Sequence, residues 1–314
     1  MQYAPIALFT YNRADHTKQA VESLMKNTEA KDSDLFIFSD GPKNEKAKNG
    51  VKENREYIRT LKDVNGNANG NFKSVTIIER EKNWGLANSL IAGITEIVNK
   101  YGRVIVVEDD LILSPYFLQF MNEALEKYKD DDRVGAISAF IYPIKEKLPE
   151  TFFMRYFHCW GWATWKRGWD LLNTDTRCLL RKMRFRKNGF DIGGAYGNLY
   201  CQKVGLVDSW WVRLYASFYL KGKLTLYPGS SLVSNKGIDG SGTHCTIPED
   251  DVNKYVNSFR DTPIVLENIE VREYIPAFNA TKNYFKGNAK TSVVSRNYAK
   301  FKSFIRRLLY IDCI

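Results

Sequence analysis

Three consecutive carboxylates, Glu108, Asp109 and Asp110, follow the apolar run Val104-Ile105-Val106-Val107. Clustered carboxylate oxygens suit a hard divalent cation, and a phosphate-bearing ligand can complete its coordination shell. Four apolar residues in a row read as a strand buried on both faces, the kind found in parallel sheets. Open α/β sheets bind ligands beyond the carboxyl ends of their strands. The pattern therefore aims an acidic cluster at a ligand crevice. A second reading stands beside it: Asp109 and Asp110 as a solvated turn that favours a helix amino end.

Other chemistry-bearing residues sit at similar junctions. Arg13 follows a first apolar strand in the loop Thr10-Tyr11-Asn12-Arg13, and Asp40 ends a second strand at Ser39-Asp40-Gly41-Pro42, a turn signature. A solvated arginine and a turn-capping aspartate are the plain alternatives. Asn83 precedes a helical pattern and reads equally as its cap. Trp160, Trp162, Trp165 and Trp169 crowd one segment, where large aromatics are mostly core, with at most one ring facing a substrate. His158 beside them reads as structural, whereas His244 follows the glycine-rich stretch Asp239-Gly240-Ser241-Gly242, which suits a loop closing over a ligand.

The elements that must position these residues follow from periodicity. Apolar runs predict strands at 4–9, 35–38, 75–78, 103–108, 134–138 and 223–227. Helical spacing predicts helices from about residue 15 to Met25, over 45–61 and 86–100, after Ser114-Pro115 (Ser as N-cap, Pro at the first helical position), and over 208–220. Alternating strands and helices imply a mostly parallel, layered α/β sheet. Residues 246–289 read as irregular structure with short strands. The expected organisation is one unit over 1–289, a nucleotide half to about 150 and an acceptor half beyond it, followed by a tail over 290–314.

Composition narrows the class. The chain has 314 residues, 44% of them hydrophobic, and a formal net charge of +10. That length supports a sizeable core. No apolar stretch is long enough to span a bilayer, and the amino end enters a strand directly, which reads as no signal peptide. Five scattered cysteines without C-x-x-C spacing argue for a reducing compartment and against a zinc site or disulfide framework. In the tail, Lys290, Arg296, Lys300, Lys302, Arg306 and Arg307 face Asp312 alone. Concentrating the excess there argues against a nucleic-acid face spread over the body. Tyr298, Phe301, Phe304, Ile305, Leu308 and Ile311 share one side of a predicted basic amphipathic helix, suited to an anionic membrane surface or to docking on the body.

The blocks Thr10-Tyr11-Asn12-Arg13, Phe38-Ser39-Asp40-Gly41, Asn83-Trp84-Gly85-Leu86-Ala87-Asn88 and Val107-Glu108-Asp109-Asp110-Leu111 resemble, in this order, the GT-A fold, family 2-like glycosyltransferases. The stretch 106–117, Gly161-Trp162-Ala163-Thr164-Trp165 and Asp208-Ser209-Trp210-Trp211 are similar to the eukaryotic N-acetylglucosaminyltransferases that extend N-glycans and O-mannose glycans. The resemblance covers roughly residues 4–245. It implies a nucleotide-sugar donor, inversion at the anomeric carbon and Mn2+ or Mg2+ as cofactor. By resemblance, Asp110 is the metal ligand, Asp109 lies against the ribose or a metal-bound water, and Glu108 lies near the donor sugar. Thr10 and Arg13 approach the nucleotide, Asp40 contacts the uracil or its ribose, and Asn83 lines the base pocket. Inversion needs a general base opposite the leaving group; Asp208 falls where the family places it, although Ser209 follows where relatives often have a second acid. An N-cap is the alternative role for Asp208. Some GT-A enzymes use a late histidine on the metal, the role considered for His244.

The resulting expectation is an inverting, metal-dependent transferase of N-acetylglucosamine or a related hexose from a UDP-sugar to an oligosaccharide or lipid-linked acceptor. The setting expected is bacterial surface-polysaccharide assembly, at the cytoplasmic face of the membrane. A sugar nucleotidyltransferase is the enzymatic rival, and the absence of glycine in Thr10-Tyr11-Asn12-Arg13 counts against it. A sugar- or membrane-binding protein that kept the fold without catalysis is the rival from another class.

Overall fold

The structure, a computed structural model, describes residues 2–238 and 259–287. An eight-stranded sheet runs in the order β3-β2-β1-β4-β8-β6-β9-β7. Its strands are β1 (Ile6–Thr10), β2 (Asp34–Ser39), β3 (Ser74–Glu79), β4 (Arg103–Glu108), β6 (Val134–Ser138), β7 (Thr151–Met154), β8 (Trp162–Trp165) and β9 (Leu224–Pro228). β3, β2, β1 and β4 pair in parallel, as do β6 and β9, whereas β8 is antiparallel to both its neighbours and β7 to β9. The sheet is thus mostly parallel and flanked by helices, as expected.

Strand alternation builds two cores. Ile6, Leu8, Leu35, Ile37, Ile105 and Val107 point to one face. There they meet α1 (Ala14–Met25), α2 (Lys48–Arg59) and α4 (Phe117–Lys127) through Val21, Leu24, Ile58 and Met121. Ala7, Phe9, Phe36, Phe38, Val104 and Val106 point to the other. That face carries α3 (Leu86–Tyr101) and, in the second half, α5 (Lys166–Trp169), α6 (Thr176–Met183), α8 (Ala195–Lys203) and α9 (Trp210–Leu220). Each central strand is buried on both faces, so its sequence reads as an unbroken apolar run.

Two local expectations change. The chain does not pass from the carboxylates straight into a helix: β5 (Leu111–Leu113) intervenes and pairs antiparallel with β10 (Val233–Asn235). Leu111 and Leu113 are buried, so this short run is held by a distant strand that no local signal announces. The helix then begins at Phe117, after a turn in which the Tyr116 amide donates to Ser114 Oγ at 3.2 Å. Near the carboxyl end, 275–287 is a helix, α10 (Ile275–Gly287), not irregular structure. Pro276 is tolerated in a first turn, and Ala277, Ala280 and Thr281 are buried. The tail over 290–314 and His244 lie outside the described residues.

Candidate active site

The carboxyl ends of β1, β2, β3 and β4 share one edge of the sheet. Between β1 and β4 the chain reverses its order of strand addition, which opens a crevice at that edge. Arg13 enters it from the loop after β1, and Glu108, Asp109 and Asp110 enter it from the end of β4. Arg13 Nη2 bridges the pair, donating to Asp109 Oδ1 and, at 3.0 Å, to Asp110 Oδ2. A backbone hydrogen bond from Tyr11 also reaches Asp109. Two buried atoms at this junction have no partner among the described residues, Arg13 Nη1 and Asp109 Oδ2. A buried donor and a buried acceptor left unpaired within one ion pair are costly unless a ligand completes them.

Burial dominates the electrostatics. It raises the Glu108 pKa, and the negative Asp110 and Asp109 add to the rise. Burial also raises that of Asp109, while Arg13 restrains the shift. For Arg13, burial works against the charge, but the attraction of Asp109 and then Asp110 outweighs it and leaves the guanidinium firmly charged. One arginine therefore stands as counterion to crowded carboxylates in a partly dry crevice.

The returning strand β10 closes the turn. Its continuation places the Lys236 amide 2.8 Å from the Asp110 carbonyl. A Cβ on Gly237 would lie 2.5 Å from Asp110 Oδ2, so any side chain there would push the carboxylate aside.

A second constellation forms around Asp40. Its buried carboxylate accepts from the amides of Gly41 (3.0 Å), Trp84 (2.9 Å) and Gly85 (2.9 Å) and from Asn83 Nδ2 (3.0 Å). It thereby pins the loop before α3 to the end of β2. Gly85 has φ 75°, a left-handed conformation that favours glycine and lets the chain turn into the helix. Trp84 is 46% exposed and carries the Arg80 guanidinium 3.7 Å from its ring centroid on one side.

The structure brings Arg13, Asp109 and Asp110 together, and separately Asp40 and Asn83. Thr10 is buried, its Oγ1 accepting from Asn54 Nδ2 at 3.0 Å. Asp208 makes no hydrogen bond to the carboxylate turn; its Oδ1 accepts from Arg213 Nη2 at 3.0 Å. The cap of α9 is Ser209, which accepts from the Val212 amide at 3.4 Å, and the helix starts at Trp210. Asp208 is thus released from capping and stands exposed at the helix entrance. Trp162, Trp165 and Trp169 are buried, and Trp160 is half-buried. His158 is buried, and burial alone lowers its pKa to about 3, which keeps it neutral.

Sequence reasoning missed Asn54 and Arg55. Arg55 ties two strand ends together by donating to Ser39 Oγ (3.3 Å), the Asp40 carbonyl (3.4 Å) and the Arg80 carbonyl (2.6 Å). Both sit in a charged helix where nothing in the pattern separates them from solvated neighbours. Gly237 lies just before the glycine-rich stretch 239–242, and nothing local in the sequence announces its approach to Asp110.

Comparison with known proteins is decisive at the level of family. The profile of "Glycosyl transferase family 2" matches residues 6–191, more than half of the chain and all of the strands that carry the carboxylates, Arg13 and Asp40. The chain belongs to glycosyl transferase family 2. No curated protein matches the sequence of this glycosyltransferase. Among solved structures it is similar to a mannosyltransferase from Pyrobaculum calidifontis in complex with GDP-Man and Mn2+, at 13% identity and a TM-score of 0.37, over 69% of this chain and 70% of that one. It is also similar to TarS from S. aureus, at 10% identity and a TM-score of 0.33, over 46% of this chain and 23% of that one. The GT-A fold follows from the family and from the layered α/β sheet; these distant likenesses add no detail.

Proposed function

We infer that this glycosyltransferase is inverting and metal-dependent. It moves N-acetylglucosamine or a related hexose from a UDP-sugar to an oligosaccharide or lipid-linked acceptor, in bacterial surface-polysaccharide synthesis. The observation that carries the reading is the meeting of Arg13 with Asp109 and Asp110 at the switch point of the sheet, each side leaving one buried polar atom unpaired. An Arg donor and a carboxylate acceptor left open in one crevice suit a ligand that brings both anionic oxygens and a cation, as a nucleoside diphosphate with its metal does.

The residues fit a hard divalent cation. Asp110 and the open Oδ2 of Asp109 would hold it together with diphosphate oxygens. Two carboxylates fill only part of a cation's shell, and diphosphate oxygens would fill the rest. When bound, the cation supplies neutralisation of the charge that grows on the departing diphosphate. Arg13 adds a permanent positive charge at the same place. Asp40 holds the 83–85 loop, and the open face of Trp84 offers an aromatic surface at the nucleotide end. Asp208, uncapped and exposed, takes the proton of the acceptor hydroxyl, with Arg213 fixing its orientation. No helix among the described residues is long and apolar enough to cross a membrane; the location assigned is the inner face of the cell membrane, peripherally.

The test is a panel of nucleotide sugars with and without Mn2+, scored by nucleoside diphosphate release and thermal shift on the wild type, Asp110→Asn and Asp208→Asn. The expected pattern is metal-dependent stabilisation by one nucleotide family. Asp110→Asn loses both stabilisation and turnover, and Asp208→Asn keeps stabilisation but loses turnover. Turnover near the wild-type level in a folded Asp208→Asn would remove that residue from the mechanism. Absence of any nucleotide response would favour a protein that keeps the fold without catalysis.

A further inference from the structure

The corner formed by α6, α7 (Lys187–Phe190) and α8 carries a concentrated positive charge that the donor chemistry does not use. Arg177, Arg181, Lys182, Arg184, Arg186 and Lys187 fall in a stretch, 177–187, without a single acid. All six are exposed, and among the described residues none has an ion pair. The flanking acids are engaged elsewhere: Asp175 accepts from the Cys178 amide and Asp191 from the Tyr196 amide. Leu179, Leu180 and Met183 bury the opposite face of α6, so the helix is anchored and its cations are presented outward.

In the middle of this charge stands Phe185, 89% exposed, with the Arg184 guanidinium 5.3 Å from its ring centroid. Lys187 Nζ lies 5.1 Å from the Tyr196 ring and ties α7 to α8. At the end of α8 the chain exposes Val204 (41%) and Leu206 (49%), two positions before Asp208. An exposed aromatic ring set among cations without ion pairs is the combination that partitions to a charged bilayer interface.

We propose that this corner docks the protein on an anionic lipid bilayer, the cations against headgroup phosphates and Phe185 in the interface. Aromatic rings also stack on nucleic-acid bases, and RNA binding through the same residues is the competing outcome of the test. Docking itself stands apart from the donor chemistry. It gives a surface to the peripheral location in the proposed function, and only its consequence rests on that function: a membrane-held acceptor would be brought to the docked enzyme.

Sedimentation with vesicles tests the proposal on the full chain. The vesicles are phosphatidylcholine with about 30% phosphatidylglycerol, or phosphatidylcholine alone, at about 0.1 M salt. Phe185→Ser and the triple variant Arg181→Gln/Lys182→Gln/Arg184→Gln alter only exposed side chains, and circular dichroism checks that they fold; Arg186 is left in place because its Nη1 donates to the Leu220 carbonyl at 3.4 Å. The wild type should bind the anionic vesicles and not the neutral ones. Binding should weaken roughly fivefold per removed charge, on the order of a hundredfold in the triple variant, and about tenfold in Phe185→Ser. Wild-type binding by both variants, equal binding to neutral vesicles, or tighter binding of a short single-stranded RNA through the same residues would each overturn it. Sugar transfer to a soluble acceptor should be unchanged in these variants. Its absence from the wild type, alongside intact vesicle binding, would count against the proposed function and leave docking standing.

Discussion

Replacing Arg13 by glutamine should have two effects of opposite sign. Arg13 Nη2 neutralises Asp109 and Asp110 together, and the side-chain exposures are 23% for Arg13 and 7% for Asp109. Removing one partner of a buried ion pair costs roughly 3–5 kcal/mol, because the remaining charge is stranded. The quarter of Arg13 that water reaches reduces this, so about 2–3 kcal/mol is expected, a fall in Tm on the order of 3–5 °C for a domain of this size. Asp109→Asn in the same background should restore most of the loss, with a coupling of about 2 kcal/mol in the double-mutant cycle. The opposite effect concerns cations. With the guanidinium gone, the carboxylates are left without their counterion, so Mn2+ without nucleotide should stabilise Arg13→Gln more than it stabilises the wild type. Free Mn2+ measured by electron paramagnetic resonance, with thermal melts at several metal concentrations, provides the assay. Equal Mn2+ binding by the two proteins, or an unchanged Tm in Arg13→Gln, would refute the assignment of Arg13 as resident counterion.

Three further outcomes follow from the same geometry. Gly237→Ala places a methyl 2.5 Å from Asp110 Oδ2; the carboxylate must move, and a displacement near 1 Å costs about 100-fold in turnover while the melting temperature falls by only about 2–4 °C. Asp40→Asn sets an amide donor against the donors of Trp84, Gly85 or Asn83, which should cost about 2–4 kcal/mol and abolish hydrogen-exchange protection of the 84 and 85 amides. Stability should fall on both sides of mid pH. The His158 pKa is depressed to about 3, so the unfolded chain binds the extra proton, and stability is lost as pH drops from about 6.5 toward 3; His158→Phe should flatten that limb of a melting-temperature profile. Glu108 and Asp109 are shifted upward, so the folded state holds their protons longer and stability declines as pH rises above the ordinary carboxylate range, a slope that Glu108→Gln should reduce.

The parts of the fold visible in the sequence are those set by local periodicity. The run ending at Glu108 declares a doubly buried strand because every side chain from Val104 to Val107 meets one of the two cores. Arg13, Asp40 and the acidic triplet could be placed at strand ends for the same reason. What stayed hidden depends on pairing across distance. Leu111–Leu113 is too short to call, and its partner lies beyond residue 230. Asn54 looks like any polar residue of a charged helix until its contact with Thr10 is seen. Asp208 and Ser209 are both good capping residues; which of them caps α9 is a matter of backbone geometry at one position. The overall charge of +10 pointed to the tail, while the acid-free stretch 177–187 is equally plain in the sequence and gains meaning only once its cations prove exposed and unpaired.

The pairing of β5 with β10 has a bearing on biogenesis. The turn at 109–110 is latched by backbone supplied by residues 233–237, so its final shape waits on a segment made more than a hundred residues later. Contacts this remote in sequence close slowly, and domains assemble vectorially as they leave the ribosome. A nascent chain stalled before Gly237 emerges would hold most of the sheet while its acidic turn still lacked the backbone partners that shape it.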